Sequence, residues 1–243
     1  MNISPDLIRR FATAKRVTVL TGAGVSAESG VPTFRDALTG LWAKFSPEEL
    51  ATPQAFFRNP SLVWAWYEWR RKLLEQVQPN PAHLALAQME RMFSEFHLIT
   101  QNVDGLHQRA GSRNVIELHG SIARSKCSNE GTIINSWPQT GDEVPKCPQC
   151  GGLLRPDVVW FGEDLPATEL KLAETATDNC DIFLSIGTSG EVYPAGGLPL
   201  RAKHHQAILV EINPDVTPIT GQAHFVLTGA AGVILPQLLA QMS

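Results

Sequence analysis

The sequence predicts a doubly wound α/β fold, and three observations carry that prediction. Short apolar runs recur along the chain: RVTVLT, FHLITQN, NVIELHG, DVVWFG, DIFLSIGTSG, QAILVEIN and HFVLTG. Helical segments fall between most of them. The first run leads directly into a glycine turn, TGAGVSA. Buried strands alternating with helices are the pattern of a parallel sheet covered on both faces.

Ser4 and Pro5 make an N-cap and N1 pair, so a helix is expected from Pro5 to about Lys15. Strand, glycine turn and helix start follow in RVTVLTGAGVSAESG. From about Val31 to Ser94 no strand pattern occurs. This insertion carries SPEE (Ser46 to Glu49), a capping box. It continues into SLVWAWYEWRRKLL (Ser61 to Leu74) and NPAHLALAQMERMF. Short buried strands are expected at Phe96 to Asn102 and at Asn114 to Gly120, whereas 121–155 reads as irregular. The later strand runs are separated by helices such as PATELKLAETAT, and AAGVILPQLLAQM is the last of them.

Composition bounds the function. The 243 residues are 43% apolar and 18% charged, which suits one large globular domain or one with a sizeable insertion. A net charge of −4 lacks the basic excess of a nucleic-acid scaffold, and no nucleic-acid contact is expected. There is no signal-peptide h-region and no apolar run of membrane-spanning length. A cytoplasmic monomer away from membranes is the expectation.

Gly22, Gly24 and Ala27 have the spacing G-x-G-x-x-A between a strand and a helix, the context a dinucleotide fingerprint needs. Glycines let the backbone approach a pyrophosphate, and the helix start supplies N–H groups and positive potential. An ordinary strand-to-helix turn is the plainer alternative. The acidic residue of a dehydrogenase, expected about 20 residues further on, is missing, which disfavours hydride transfer.

The aromatic helix poses a question of charge. At helical spacing Leu62, Val63, Trp66, Tyr67, Trp69, Leu73 and Leu74 share one face, and Glu68, Arg71, Lys72, Glu75 and Gln76 the other. Arg70 falls in the middle of the apolar face. Its guanidinium cannot shed its charge, so it needs a partner.

Further stretches make a resemblance specific: GVPTFRD (Gly30 to Asp36), TQNVDGLHQRAG (Thr100 to Gly111), ELHG (Glu117 to Gly120) and VVWFGE (Val158 to Glu163). In order and spacing, together with TGAGVS, GTS (Gly187 to Ser189) and EIN (Glu211 to Asn213), they resemble the sirtuin family of NAD-dependent protein-lysine deacylases, from about Val17 onward. The resemblance implies a Rossmann-type NAD-binding domain over 1–33, 86–121 and 155–243. It implies a small domain from a helical insertion (34–85) and a zinc-ribbon-like insertion (122–154). NAD, a consumed co-substrate, and an acylated lysine of another protein would meet in the cleft between them.

The implied roles follow the motifs. Gly22, Ala23, Gly24, Ser26, Ala27 and Glu28 line the phosphate turn, and Thr33, Phe34, Arg35 and Asp36 form a cofactor loop. Gln101, Asn102 and Asp104 hold the nicotinamide and its ribose, with Asn102 and Asp104 also placed in catalysis. Gly187, Thr188, Ser189, Asn213 and Ala231 face the adenosine half. His119 is the general base, a role its ordinary pKa near ~6.5 suits. Nicotinamide leaves, the acyl oxygen takes its place on the ribose, and His119 takes a proton from the ribose hydroxyls. The 2′ oxygen then attacks the imidate carbon, water completes the sequence, and the products are free lysine, nicotinamide and 2′-O-acyl-ADP-ribose. Read by themselves, Asn102 and Asp104 would suit turn formation or helix capping equally well.

Val159, Trp160 and Phe161 would line a lysine tunnel, and VVWFGE would offer a backbone edge to the substrate peptide. Tyr67 and Arg70, at i and i+3, share a helix face. This Y-x-x-R pair, with Ala51 as a small residue widening the pocket, resembles the class III subgroup that removes succinyl, malonyl and glutaryl groups. Arg70 would fork a distal carboxylate and Tyr67 would hydrogen-bond it; a brace against an internal acid is the alternative. Acetyl groups would still fit.

Cys127, Cys147 and Cys150 read as metal ligands. The fourth position of C-x₂-C…C-x₂-C is Glu130, where the family usually has cysteine. Structural zinc completed by Glu130 or water, zinc completed by Asp142 or Glu143, and a degenerate metal-free site all remain open. Cys180 reads as a core residue. Two other functions compete: protein mono-ADP-ribosylation by the same nicotinamide cleavage, and NAD binding without catalysis. The intact ELHG disfavours the latter, and VVWFGE with Tyr67 and Arg70 disfavours the former.

Overall fold

The computed structural model describes residues 3–32, 45, 47–138 and 143–242. The apolar runs form a six-stranded parallel sheet of β1 (Arg16–Thr21), β2 (Glu95–Thr100), β3 (Val115–Glu117), β7 (Ile182–Ile186), β8 (Ile208–Asn213) and β9 (Phe225–Thr228). Their order is β3-β2-β1-β7-β8-β9, so the winding reverses between β1 and β7. Alternate side chains explain why these strands read as continuous apolar runs. Val19, Leu184 and Val210 pack under α1 (Pro5–Thr13), α6 (Pro81–Met89) and α10 (Ala231–Met242). Leu20, Phe183 and Leu209 pack against α8 (Ala167–Asn179) and α9 (Leu198–His204) on the opposite face.

The region expected to be irregular is so only in part. A three-stranded antiparallel sheet of β4 (Gly120–Cys127), β5 (Ile133–Ile134) and β6 (Leu154–Val158), in the order β5-β4-β6, runs through it. Charged residues such as Arg124, Lys126 and Arg155 break the apolar pattern that sequence reading depends on, yet Arg124 and Lys126 pair with Asp157 across this sheet. DVVWFG is likewise not a strand of the large sheet. β6 ends at Val158, and residues 159–163 turn away from it.

The first insertion is helical: α3 (Pro47–Leu50), α4 (Pro53–Arg58) and α5 (Pro60–Gln76). Asn59 caps α5 by accepting the Leu62 N–H at 3.1 Å. Ser46 of the expected capping box lies outside the described residues. The aromatic helix buries two faces, not one. Val63, Trp66 and Tyr67 join Phe56, Ile122, Val158 and Trp160 in one apolar cluster, while Trp64 joins Cys127, Cys147 and Leu154 in another. Arg71, expected on the solvated side, is tucked against β4. It donates to Ile122 O at 2.7 Å, pairs with Glu68, and stacks between Trp64 and Trp137 at 4.9 and 4.8 Å.

Candidate active site

Parallel strands leave their carboxyl ends open where the winding reverses, and ligand sites form there. Here that position is a cleft of about 1380 Å³ at the ends of β1, β2, β7 and β8. The glycine turn between β1 and α2 (Ala23–Ala27) forms one wall. Gly22 N–H donates to Ile186 O at 3.1 Å and Gly24 N–H to Gly187 O at 2.9 Å. A Cβ on either glycine would lie 2.8 Å from Gly187 O. These glycines therefore let the turn seat on the end of β7, leaving Ala23, Ser26 and Ala27 along the cleft. The Glu28 carboxylate reaches away to accept the Gly232 N–H at 2.7 Å, next to Ala231, and so caps α10. Thr33, Phe34, Arg35 and Asp36 lie outside the described residues.

The loop after β2 is held by hydroxyls. Asn102 N–H donates to Thr100 Oγ1 at 3.0 Å, and its side-chain amide donates to Gly22 O and Ser26 Oγ, both at 3.0 Å. Ser26 Oγ donates to Asp104 Oδ2 at 2.8 Å. Asp104 Oδ1 accepts the Leu106 N–H at 2.9 Å, so the turn-forming role is realised beside any other. Gln101 reaches Thr188 Oγ1 at 2.9 Å, and Asn213 reaches Thr188 O at 2.9 Å. Gly187, Thr188 and Ser189 complete this wall.

Sequence reading passed over the polar layer beneath. His83 Nε2 lies 3.5 Å from Ser26 Oγ, and its ring sits 4.8 Å from that of His107. His107 Nε2 meets Thr21 Oγ1 at 3.0 Å, and Thr21 donates to Thr100 at 2.9 Å. Burial lowers both imidazoles, His107 to about 3. The one sequence signal was NPAH, in which Asn80 and His83 form a reciprocal cap on α6.

His119 stands where β3 hands over to β4. Gly120 makes that step possible: its φ is 77°, and a Cβ there would lie 2.1 Å from Asp157 O. His119 Nδ1 lies 2.9 Å from Gln101 O. A carbonyl only accepts, so Nδ1 carries the proton and Nε2 keeps its lone pair. Burial lowers the imidazole pKa, partly offset by the bond to Gln101, which favours a neutral base.

Across the cleft, Trp160 Nε1 donates to Tyr67 Oη at 2.9 Å. The Arg70 guanidinium lies 5.1 Å from the Trp66 ring centre and 5.7 Å from that of Tyr67. Burial draws Arg70 below its ordinary value, opposed by Tyr67 and Asp104. Ala51 O accepts the Phe161 N–H at 2.9 Å. The expected backbone edge at 159–161 is largely occupied: Val159 N–H donates to His119 O, Trp160 N–H to Glu163, and Phe161 N–H to Ala51 O. The Trp160 carbonyl is occupied too, accepting the Glu163 N–H at 3.0 Å. The structure thus brings the glycine turn, Gln101, Asn102, Asp104, His119, Ala51, Tyr67, Arg70 and Val159 to Phe161 around one cleft.

The cysteines gather apart from it. The Sγ atoms of Cys127, Cys147 and Cys150 lie within 4.8 Å of one another; among the described residues neither Glu130 nor Glu143 belongs to that group. Asp142 lies outside the described residues. Cys180 is buried in the core under α8 and α9, and burial pushes its thiol up to about 12.

Fold and cleft define the class: a Rossmann-type α/β protein with its ligand cleft at the strand-order reversal. A profile described as the Sir2 family matches residues 22–194. An NAD-dependent protein deacylase of Aquifex aeolicus is 54% identical over 220 residues, covering 89% of this chain and 92% of the relative. A crystal structure of a Sir2 homolog–NAD complex is similar with a TM-score of 0.93 at 47% identity, covering 99% of this chain and 94% of the other. A structure described as Sir2-p53 peptide-NAD+ is similar at 0.87 and 30% identity, with 99% and 98% covered. The chain belongs to the Sir2 family.

Proposed function

We propose that this chain is an NAD-dependent protein-lysine deacylase that removes succinyl, malonyl and glutaryl groups, and also acetyl groups. One observation carries the reading: the glycine turn, the lone pair of His119 and the Tyr67–Arg70 pair share a single cleft. The names of its relatives point to the same activity.

The donor set suits NAD. Amides of Gln101, Asn102 and Asn213, the Asp104 carboxylate and the Ser26 hydroxyl line the wall, matching a carboxamide and ribose diols. When bound, NAD supplies a ribose carbon that accepts the acyl oxygen as nicotinamide departs. Asn102, held from three sides, orients the nicotinamide end, and Asp104 fixes Ser26 beside it. Gly22, Ala23, Gly24, Ser26 and Ala27 line the phosphates; Glu28 acts through α10. Thr33, Phe34 and Arg35, outside the described residues, complete the set of cofactor contacts in this reading. Gly187, Thr188, Ser189, Asn213 and Ala231 hold the adenosine half. His119 takes a ribose hydroxyl proton at Nε2. Val159, Trp160 and Phe161 shape the lysine tunnel, and Ala51, Tyr67 and Arg70 receive the acyl end.

The NAD-binding unit comprises 1–33, 86–121 and 155–243, and the small unit comprises 34–85 and 122–154. Three thiols this close are a donor set that fits zinc. Cys127, Cys147 and Cys150 would hold it as a structural cross-link between β4 and the 147–150 turn.

The test is incubation with NAD and matched succinyl-, glutaryl- and acetyl-lysine peptides, following peptide mass and nicotinamide. Acyl loss is expected with each, abolished in His119→Ala. Arg70→Met should slow desuccinylation far more than deacetylation; equal slowing would remove the carboxylate anchor. A mass gain in place of acyl loss would favour ADP-ribosylation.

A further inference from the structure

The acyl end of the cleft holds a donor that has no acceptor among the described residues. Tyr67 is 0% exposed, and its Oη accepts the Trp160 indole N–H at 2.9 Å. That contact uses an oxygen lone pair and leaves the phenolic proton. Among the described residues no acceptor receives that proton. Buried hydroxyls ordinarily donate as well as accept, so the proton marks where an acceptor arrives from outside. Burial raises the phenol's pKa, which keeps that proton in place at neutral pH.

Trp160 is itself held at both ends. Its backbone N–H donates to Glu163 Oε2 at 2.9 Å. Its ring carries the Arg155 guanidinium, 3.3 Å from the ring centre. Arg155 donates to Glu163 Oε2 at 2.8 Å and to Val158 O at 3.0 Å, which locks the clamp. Phe56 packs on the ring at 5.5 Å. The indole N–H therefore has one direction, and it ends on Tyr67.

We infer that Trp160 is a positioning residue for acyl-group selection: its indole N–H occupies the acceptor side of the Tyr67 hydroxyl and so turns the phenolic proton toward the distal carboxylate of the substrate's acyl chain. The inference rests on the carboxylate-anchor reading of Tyr67 and Arg70. A phenolic hydroxyl has one proton and two favoured in-plane orientations, between which a neighbour can select. A donor approaching its lone pair removes the orientations that point toward that donor. The carboxylate then meets a pre-aligned O–H beside the charge of Arg70, and less rotational freedom is lost on binding. An acetyl group, with no distal oxygen there, gains nothing from the arrangement.

The test replaces Trp160 by 3-benzothienylalanine, which keeps the ring shape and removes the N–H, alongside Trp160→Phe. Should the phenylalanine variant not fold, the isostere alone decides. KM for the succinyl-lysine peptide should rise more than kcat falls. The succinyl-to-acetyl ratio of kcat/KM should drop about three- to tenfold, the range expected for one hydrogen bond. In a Tyr67→Phe background the isostere should leave that ratio where Tyr67→Phe put it. An unchanged ratio in the isostere, or a full drop persisting in the Tyr67→Phe background, would overturn the inference. If Arg70→Met and Tyr67→Phe are selective while the isostere is not, only the inference falls. If those two slow both peptides alike, the anchor reading falls and takes the inference with it.

Discussion

His119 shows how little a catalytic assignment needs from distance once hydrogen-bond roles are fixed. Gln101 O can only accept, so one 2.9 Å contact decides which nitrogen is basic. Burial then lowers its pKa, so the base stays neutral below the ordinary imidazole value of ~6.5. In a pH profile of kcat/KM, the plateau should extend down through that value and the acid limb should fall below it. An acid limb at or above it would contradict the buried setting. The residue type and the ELHG motif were legible in the sequence. The tautomer was not, because it depends on a carbonyl 18 positions away in the chain. Arg70 was legible as a misplaced charge for the opposite reason: helical phase is a local property.

At the scale of elements, the step from β3 to β4 depends on Gly120. A side chain there would have to adopt a φ of 77° and accommodate a Cβ 2.1 Å from Asp157 O. Gly120→Ala should therefore destabilise the protein by about 2–4 kcal/mol in chemical denaturation, with activity falling as His119 shifts. Helix α5 makes a second prediction. Arg71→Ala removes a partner of the half-buried Glu68, a bond to Ile122 O and the stack between two tryptophans. The expected loss is about 2–3 kcal/mol, whereas Lys72→Ala, at an exposed position, should cost under ~0.5 kcal/mol. Helical phase placed Arg71 with Lys72 on a solvated side. Only the second sheet, folded against that side, makes the two residues different.

At the scale of the whole molecule, the His83–His107 layer joins α6 and α7 (Leu106–Arg109) to the ends of β1 and β2. Folding depresses both imidazoles, His107 to about 3, by burying them. The unfolded chain therefore binds more protons as pH falls below ~6.5. Stability should be intact above that value and decline as pH drops toward about 3. The slope should be at most about 1.4 kcal/mol per pH unit for each histidine. Thermal melts from pH 7 to 4 measure this, and His107→Gln should flatten the decline. The cysteine cluster adds a metal term. Elemental analysis should find one zinc per chain, and a strong chelator should lower the melting temperature in wild type but not in Cys147→Ser.

The parallel strands, the glycine turn, the aromatic helix and the three thiols could be read from the sequence because each is set by local spacing and residue type. The antiparallel sheet over 120–158 could not, since Arg124, Lys126 and Arg155 interrupt the apolar positions of its strands. Nor could the polar layer beneath Asn102, or the Trp160–Tyr67 bond that joins residues 93 positions apart. The sequence by itself determined which chemistry the chain carries. The tertiary structure decided which lone pairs and protons of that chemistry are left for a ligand, because burial and long-range hydrogen bonds engage many of the others.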